Sequence, residues 1–349
     1  MRQKHGQNFL TDNNIINNII KAAALTKDDE VLEIGPGKGA LTKIIAPQVK
    51  HLTAVEIDKI LFQQLNYYFD FHKTENVTLI NEDFLKLQSG KWKVESEING
   101  KSKDKDEQQQ SLKQVQGDQS EKWKVESGIN GKSKDKDEQQ QSLKQVQGDS
   151  VVEFNRVSRC HCETLVSKSA VAVNGAVNST FHFPLSTLPF KVVSNLPYNV
   201  GTAIIQKILP TPNWTTCVFM LQKEVNERLA APAGSKDYGY ISIFTQYYAN
   251  AQIMFDVSPR CFTPQPKVTS SVIKLTNKNA PPPNKNFFPF VKHAFAMRRK
   301  TILNAVSSFA NLDKTQTAKI LQEIKIDPML RPEKLSIENF LQIITHIPQ

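Results

Sequence analysis

A short apolar run, Val31-Leu32-Glu33-Ile34, passes without a break into Gly35-Pro36-Gly37-Lys38-Gly39 and then into Ala40 to Ala46. This is the pattern of a buried strand, a tight glycine turn and a helix. Glycines let a backbone approach a ligand closely, and the N–H groups at the following helix start can face its polar groups. A second strand pattern, His51 to Asp58, carries Glu56 21 residues after Gly35. A carboxylate there can accept both hydroxyls of a ribose in a doubly wound α/β nucleotide site. Gly35-x-Gly37-x-x-Ala40 also fits a dinucleotide fingerprint, so on this pattern alone a dehydrogenase, or a turn with no ligand at all, stays open.

Two later segments narrow the choice. Val77-Thr78-Leu79-Ile80 leads into Glu82-Asp83-Phe84, which sets an acceptor carboxylate beside an aromatic ring. That pair suits an adenine amino group and its face. Lys191-Val192-Val193-Ser194 leads into Asn195-Leu196-Pro197-Tyr198, a tetrapeptide that nicotinamide chemistry does not need. It suits attack by an exocyclic amine, whose lone pair is delocalised into its ring. The Asn195 side-chain oxygen and the Leu196 carbonyl can converge on the two amine hydrogens and stabilise charge developing on nitrogen. Pro197 stiffens the turn, and Tyr198 offers a face on which an extruded base can stack. Such chemistry needs no metal, titrating acid or covalent nucleophile. Cys160-His161-Cys162 lacks the second ligand pair of a zinc site, and no metal is expected.

Residues 88 to 118 recur at 119 to 149, differing only where Gly90 becomes Glu121 and Glu97 becomes Gly128. Two copies are too few for a solenoid, and each unit is dominated by Lys, Glu, Asp, Gln and Ser, so disorder is expected over 88–149. Twelve Lys balance twelve Asp and Glu in that stretch, so the whole formal charge of +10 sits on the rest of the chain. Such an excess favours acidic or nucleic-acid partners. Residues 150–188 are more apolar but show no clear period and receive no assignment. Setting 88–188 aside leaves a domain over 1–87 and 189–280, then Pro281-Pro282-Pro283 as a linker, then a small helical domain over 281–349. No apolar run approaches the ~18 residues of a membrane helix, and the first residues lack a signal peptide's apolar region. Four scattered cysteines, Cys160, Cys162, Cys217 and Cys261, suit a reducing compartment. A cytoplasmic protein is expected.

Taken in order, Gln7-Asn8-Phe9-Leu10, Glu33 to Thr42, Val55 to Asp58, Glu82-Asp83-Phe84 and Asn195 to Tyr198 resemble the ribosomal RNA adenine dimethyltransferases. The resemblance continues through Leu221 to Leu229, Tyr238 to Ser242, Phe262-x-Pro264-x-Pro266-Lys267-Val268-x-Ser270 and Phe295-x-x-Arg298-Arg299-Lys300-Thr301. It covers 1–87 and 189–345. It implies a Rossmann-like methyltransferase domain with a small C-terminal all-α domain, and S-adenosyl-L-methionine as cofactor. Asn8, Leu10, Glu33, Gly35, Gly37, Glu56, Asp83, Phe84 and Asn195 would surround that cofactor. Asn195, Leu196, Pro197, Tyr198 and Phe262 would serve catalysis, with Tyr198 and Phe262 flanking the target adenine. The implied reaction is two methylations on N6 of each of two adjacent adenines near the 3′ end of small-subunit RNA, with a role in ribosome biogenesis. The chain departs from the family in the insertion of about 100 residues between the Asp83 and Asn195 strands.

Lys267 lies on a rigid basic loop, and Arg298-Arg299-Lys300 forms a basic helical cluster; these are the expected RNA contacts. Phe288, Phe290, Phe295 and Ile302 are expected in the core. The expected partner is small-subunit RNA or the 30S precursor, met by a monomer. The alternatives are a large-subunit adenine methylase of the macrolide-resistance type and a non-catalytic assembly factor. The first is disfavoured by the Phe262 and Arg298 blocks, the second by the intact Asn195 to Tyr198.

Overall fold

In the computed structural model, residues 8–87 and 188–348 are described. The tandem repeat, nearly all of 150–188 and the Cys160-His161-Cys162 triplet lie outside them.

A seven-stranded sheet has the order β4-β3-β2-β5-β6-β9-β7. Its strands are β2 (Glu30–Ile34), β3 (His51–Val55), β4 (Val77–Ile80), β5 (Phe190–Asn195), β6 (Trp214–Gln222), β7 (Ala249–Val257) and β9 (Ser270–Asn277). The first five run parallel, and β9 pairs antiparallel with both β6 and β7. From β2 the chain moves outward to β3 and β4, then returns to β2's other side through β5 and continues to β6. The strand order therefore reverses between β2 and β5, and ligands of open α/β sheets bind at such a point, beyond the carboxyl ends of the strands.

Successive side chains on the central strands enter different cores. Leu32, Val192, Cys217, Phe219 and Ile273 join one apolar cluster; Val31, Val193, Val218, Met220 and Val272 join the other. Alternation between two buried faces explains why these strands read as continuous apolar runs. The second cluster is closed by α1 (Asn13–Ala23), α2 (Thr42–Ile45) and α3 (Lys59–Phe71) through Ile16, Ile19, Ile45, Leu65 and Phe69. The first is closed by α4 (Gly201–Ile208), α5 (Lys223–Ala230) and α6 (Tyr240–Tyr248), and by the C-terminal helices α7 (Phe287–Ala296), α8 (Ile302–Ala310), α9 (Lys314–Glu323) and α10 (Ile337–His346). Phe290 and Ile302 are buried there, and Phe288 and Phe295 pack against them, as expected.

Local chemistry sets the boundaries. The expected strand over His51 to Asp58 stops at Val55 because the Asp58 carboxylate accepts from the Ile60 and Leu61 N–H groups and begins α3. The helix expected over 40–46 is only Thr42–Ile45, continued by a 3-10 turn at Ala46–Gln48, where Pro47 offers no N–H. A two-stranded ribbon stands apart from the sheet: β1 (Phe9–Leu10) pairs antiparallel with β8 (Phe262–Thr263). It is extended by Thr11, whose N–H and hydroxyl both donate to the Cys261 carbonyl.

Candidate active site

At the switch point lies a cavity of about 380 Å3. Its walls are the carboxyl ends of four parallel strands: Gly35–Lys38 after β2, Glu56–Ile57 after β3, Glu82–Leu85 after β4 and Asn195–Val200 at and after β5. The ribbon contributes Asn8–Leu10 and Thr263. Of the expected cofactor residues, Asn8, Leu10, Glu33, Gly35, Gly37, Glu56, Asp83, Phe84 and Asn195 all line this one cavity.

The strand ends are stitched together. Gly35 N–H donates to the Val55 carbonyl and Glu56 N–H to that of Ile80, both at 2.9 Å. Asn81 donates its amide to the Glu56 carbonyl at 2.8 Å. Between the two switch strands, the buried Ser194 hydroxyl accepts from Ile34 N–H at 2.8 Å. Gly37 has φ of +61°. In that conformation its N–H reaches Glu56 Oε2 at 2.9 Å, while a β-carbon would come within 3.3 Å of the Phe9 ring.

Glu56 is 2% exposed, and its second oxygen accepts from Asp58 N–H at 2.9 Å. Burial raises its carboxyl above the ordinary range, against the pull of the Asp58 and Gly37 N–H groups. Glu33 is equally buried; burial raises its carboxyl to about 8, with the Glu56 charge adding and Thr42 opposing. Its Oε2 has no hydrogen-bond partner among the described residues. With its carboxyl raised to about 8, Glu33 is a buried acid that keeps its proton near neutral pH.

Asn195 ends β5, and its Nδ2 donates to the Asn8 carbonyl at 3.4 Å. Leu196, whose side chain is in the core, and Pro197 and Tyr198 also line the cavity. The Pro197 carbonyl accepts from the N–H groups of Val200 and Gly201, which closes the turn into α4. The Tyr198 hydroxyl is hydrogen-bonded to that of Ser270 at the start of β9, so the ring is held at its far end. Burial raises the Tyr198 phenol above its usual range, and it stays neutral.

Three expectations need correction. Phe262 is 2% exposed and packs in the core with Leu10, Val257 and Val272, because its strand turns it inward; it offers the cavity no ring face, and its neighbour Thr263 lines the wall instead. Arg298–Lys300 occupy the turn between α7 and α8 and not a helix. Within that turn Arg298 is committed to the fold: Nε pairs with Glu333 at 2.7 Å and Nη2 donates to the Lys236 carbonyl at 2.6 Å. Arg299, Lys300 and Lys267 are exposed, and Lys267 is not in the cavity wall. Sequence reasoning gave no role to Ser194, Ser270 or Lys207, although Ser194 ends the apolar run of β5 and Ser270 ends the Phe262 block.

The sequence model of the family described as ribosomal RNA adenine dimethylase matches residues 1–117 and 178–349. The chain belongs to this family. Among curated proteins it is 30% identical over 350 residues to the ribosomal RNA small subunit methyltransferase A of Pediococcus pentosaceus, covering 98% of this chain and 88% of the relative. It is 32% identical over 344 residues to the protein of the same name from Alkaliphilus oremlandii, covering 96% and 88%. Two solved structures share the fold. A dimethyladenosine transferase from Plasmodium falciparum matches with a TM-score of 0.60 at 17% identity, over 97% of this chain and 96% of that one. The 23S rRNA methyltransferase ErmE matches at 0.55 and 18%, over 98% and 100%. The fold of this dimethylase-family chain is thus α/β and methyltransferase-like. The break in the family match falls inside the stretch between β4 and β5, where the sequence carries its repeat.

Proposed function

We propose that this protein is an S-adenosylmethionine-dependent methyltransferase that dimethylates N6 of two adjacent adenosines near the 3′ end of small-subunit ribosomal RNA. The observation that carries the reading is that Asn195–Tyr198 opens onto the same cavity as the glycine turn and Glu56, so an acceptor-lined amine site and a nucleoside site share one wall. The fit to the cofactor rests on the donor and acceptor set: Glu56 for ribose hydroxyls, Asp83 and Phe84 for the adenine edge and face. S-adenosylmethionine supplies a methyl group on a positively charged sulfur. The chain supplies position and electrostatics. With its Nδ2 engaged by the Asn8 carbonyl, Asn195 has its oxygen left to accept from the attacking amine, and the Leu196 carbonyl is the second acceptor. Tyr198, pinned by Ser270, gives the extruded base a fixed plane.

Names of the relatives at about 30% identity favour the small subunit over the large one. The RNA-facing surface comprises the exposed Lys267, Arg299 and Lys300, and residues 281–349 act as the RNA-binding part beside the methyltransferase part. The substrate is a 30S precursor met in the cytoplasm by a monomer. No helix among the described residues is long and apolar enough to cross a membrane. The test is methyl transfer to 30S particles and, separately, to naked large-subunit RNA, with the dimethylated nucleotides mapped. Adjacent dimethyladenosines near the small-subunit 3′ end are expected; methylation confined to large-subunit RNA would overturn the assignment.

A further inference from the structure

Lys207 belongs to no motif, yet its ammonium binds the turn whose Asp83, Phe84 and Leu85 line the cavity. It sits in the last turn of α4, and its Nζ donates to three backbone carbonyls of the segment after β4: Phe84 at 2.7 Å, Leu85 at 2.8 Å, and Leu87. An ammonium has three protons, so all three are spent on this one turn. The same nitrogen stands 5.4 Å from the centroid of the Phe84 ring. The turn has its own closure, in which Lys86 and Leu87 donate back to the carbonyls of Asp83 and Phe84 and Asp83 Oδ1 accepts from Leu85 N–H. Its carbonyl end is what Lys207 caps, as a basic side chain caps a helix C-terminus. Burial lowers the lysine's pKa and the Asp83 carboxylate opposes this. Leu87 is also the last described residue before the insertion, so the cap sits where the chain departs.

We propose that Lys207 is a positioning residue for recognition of the cofactor's base: it fixes the Asp83 carboxylate in the cavity wall by gathering the carbonyls of the turn that Asp83 begins. This rests on the reading that the cavity holds S-adenosylmethionine, and it assigns Lys207 no contact with that ligand. A residue acting on Asp83 must matter more for a ligand that uses Asp83 than for one that does not. S-adenosylhomocysteine presents a 6-amino group to Asp83, whereas S-inosylhomocysteine presents a 6-oxo group and has lost that donor.

The experiment is calorimetric titration of the full chain with both compounds, comparing wild type with Lys207→Met, which keeps the stem and removes the charge. The variant is expected to bind S-adenosylhomocysteine about tenfold more weakly and S-inosylhomocysteine within about twofold of wild type. Lys207→Arg is expected to recover most of the loss, and kcat at saturating cofactor should stay within about threefold. Equal losses for the two ligands, or none for either, would overturn the proposal. If Lys207→Met does not fold, the same pair of titrations on Lys207→Arg and Lys207→Gln decides it, with the adenine-specific loss expected in Gln and not in Arg. Failure of the wild type to bind S-adenosylhomocysteine would instead refute the underlying cofactor assignment.

Discussion

Glu56 has both oxygens held by backbone N–H groups before any ligand arrives, so its charge and direction are preset. Glu56→Gln keeps the shape but replaces one acceptor oxygen by a donor that faces an N–H. Affinity for S-adenosylmethionine is expected to fall by about ten- to a hundredfold, the cost of a hydrogen bond to a charged acceptor. Calorimetry measures it, and an unchanged Kd would remove Glu56 from the ribose site. Glu33 makes a different prediction. Its carboxyl ionises at about 8 in the folded chain against an ordinary 4.5, so the folded state holds a proton that the unfolded state releases. That stabilisation is complete below the unfolded value and is lost as pH rises towards 8. Thermal melts of Glu33→Gln should therefore show a flatter decline in Tm between about pH 5 and 8 than wild type. A decline as steep as wild type would assign the titration to another group. At Asn195, truncation to Ala removes a preorganised acceptor, and single-turnover methyl transfer should slow by about two to three orders of magnitude with RNA affinity retained. A wild-type rate would exclude Asn195 from the transition state.

At the scale of elements, the turn between α7 and α8 separates two kinds of arginine. Arg298 ties the turn to Glu333 and to the loop carrying Lys236, while Arg299 and Lys300 face solvent. Reversing Arg299 and Lys300 to Glu should reduce the slope of log affinity for RNA against log salt by up to about two, since each phosphate contact contributes about 0.9. Arg298→Ala should leave that slope alone and lower stability by up to about 1 kcal/mol, as for a largely exposed ion pair. If all three behave alike in salt titrations, the division is wrong. This turn also shows where sequence reading stops. The glycine turn, Glu56, Asp83 and Asn195 were legible because each is bound to a strand end by a local pattern, and strand ends converge at a switch point. Phe262 differs because its expected role came from the resemblance alone, and a two-residue strand has no periodicity to show which of its residues turns inward. Lys207 was invisible because its partners lie about 120 residues away and are carbonyls, which every residue has.

For the whole molecule, the two strands flanking the insertion are secured independently of it. β4 is paired to β3 and followed by the turn that Lys207 caps, and β5 is locked between β2 and β6. Deleting residues 88–149 while keeping 150–188 should thus leave cofactor affinity and methyl-transfer rate within about twofold, because loop-closure entropy changes only logarithmically with length. A deletion variant that binds cofactor but no longer methylates 30S particles would give the repeat a part in substrate recruitment. The ribbon of Phe9–Leu10 with Phe262–Thr263 has a consequence in time. Thr11 and the Cys261 carbonyl to which it bonds lie 250 residues apart, and at about 5–20 residues per second the amino-terminal segment emerges on the order of ten to fifty seconds before its partner is made. Through that interval the cavity lacks Thr263 and its ribbon wall. A ribosome that translates this protein therefore finishes most of the chain before the wall of its cavity is complete.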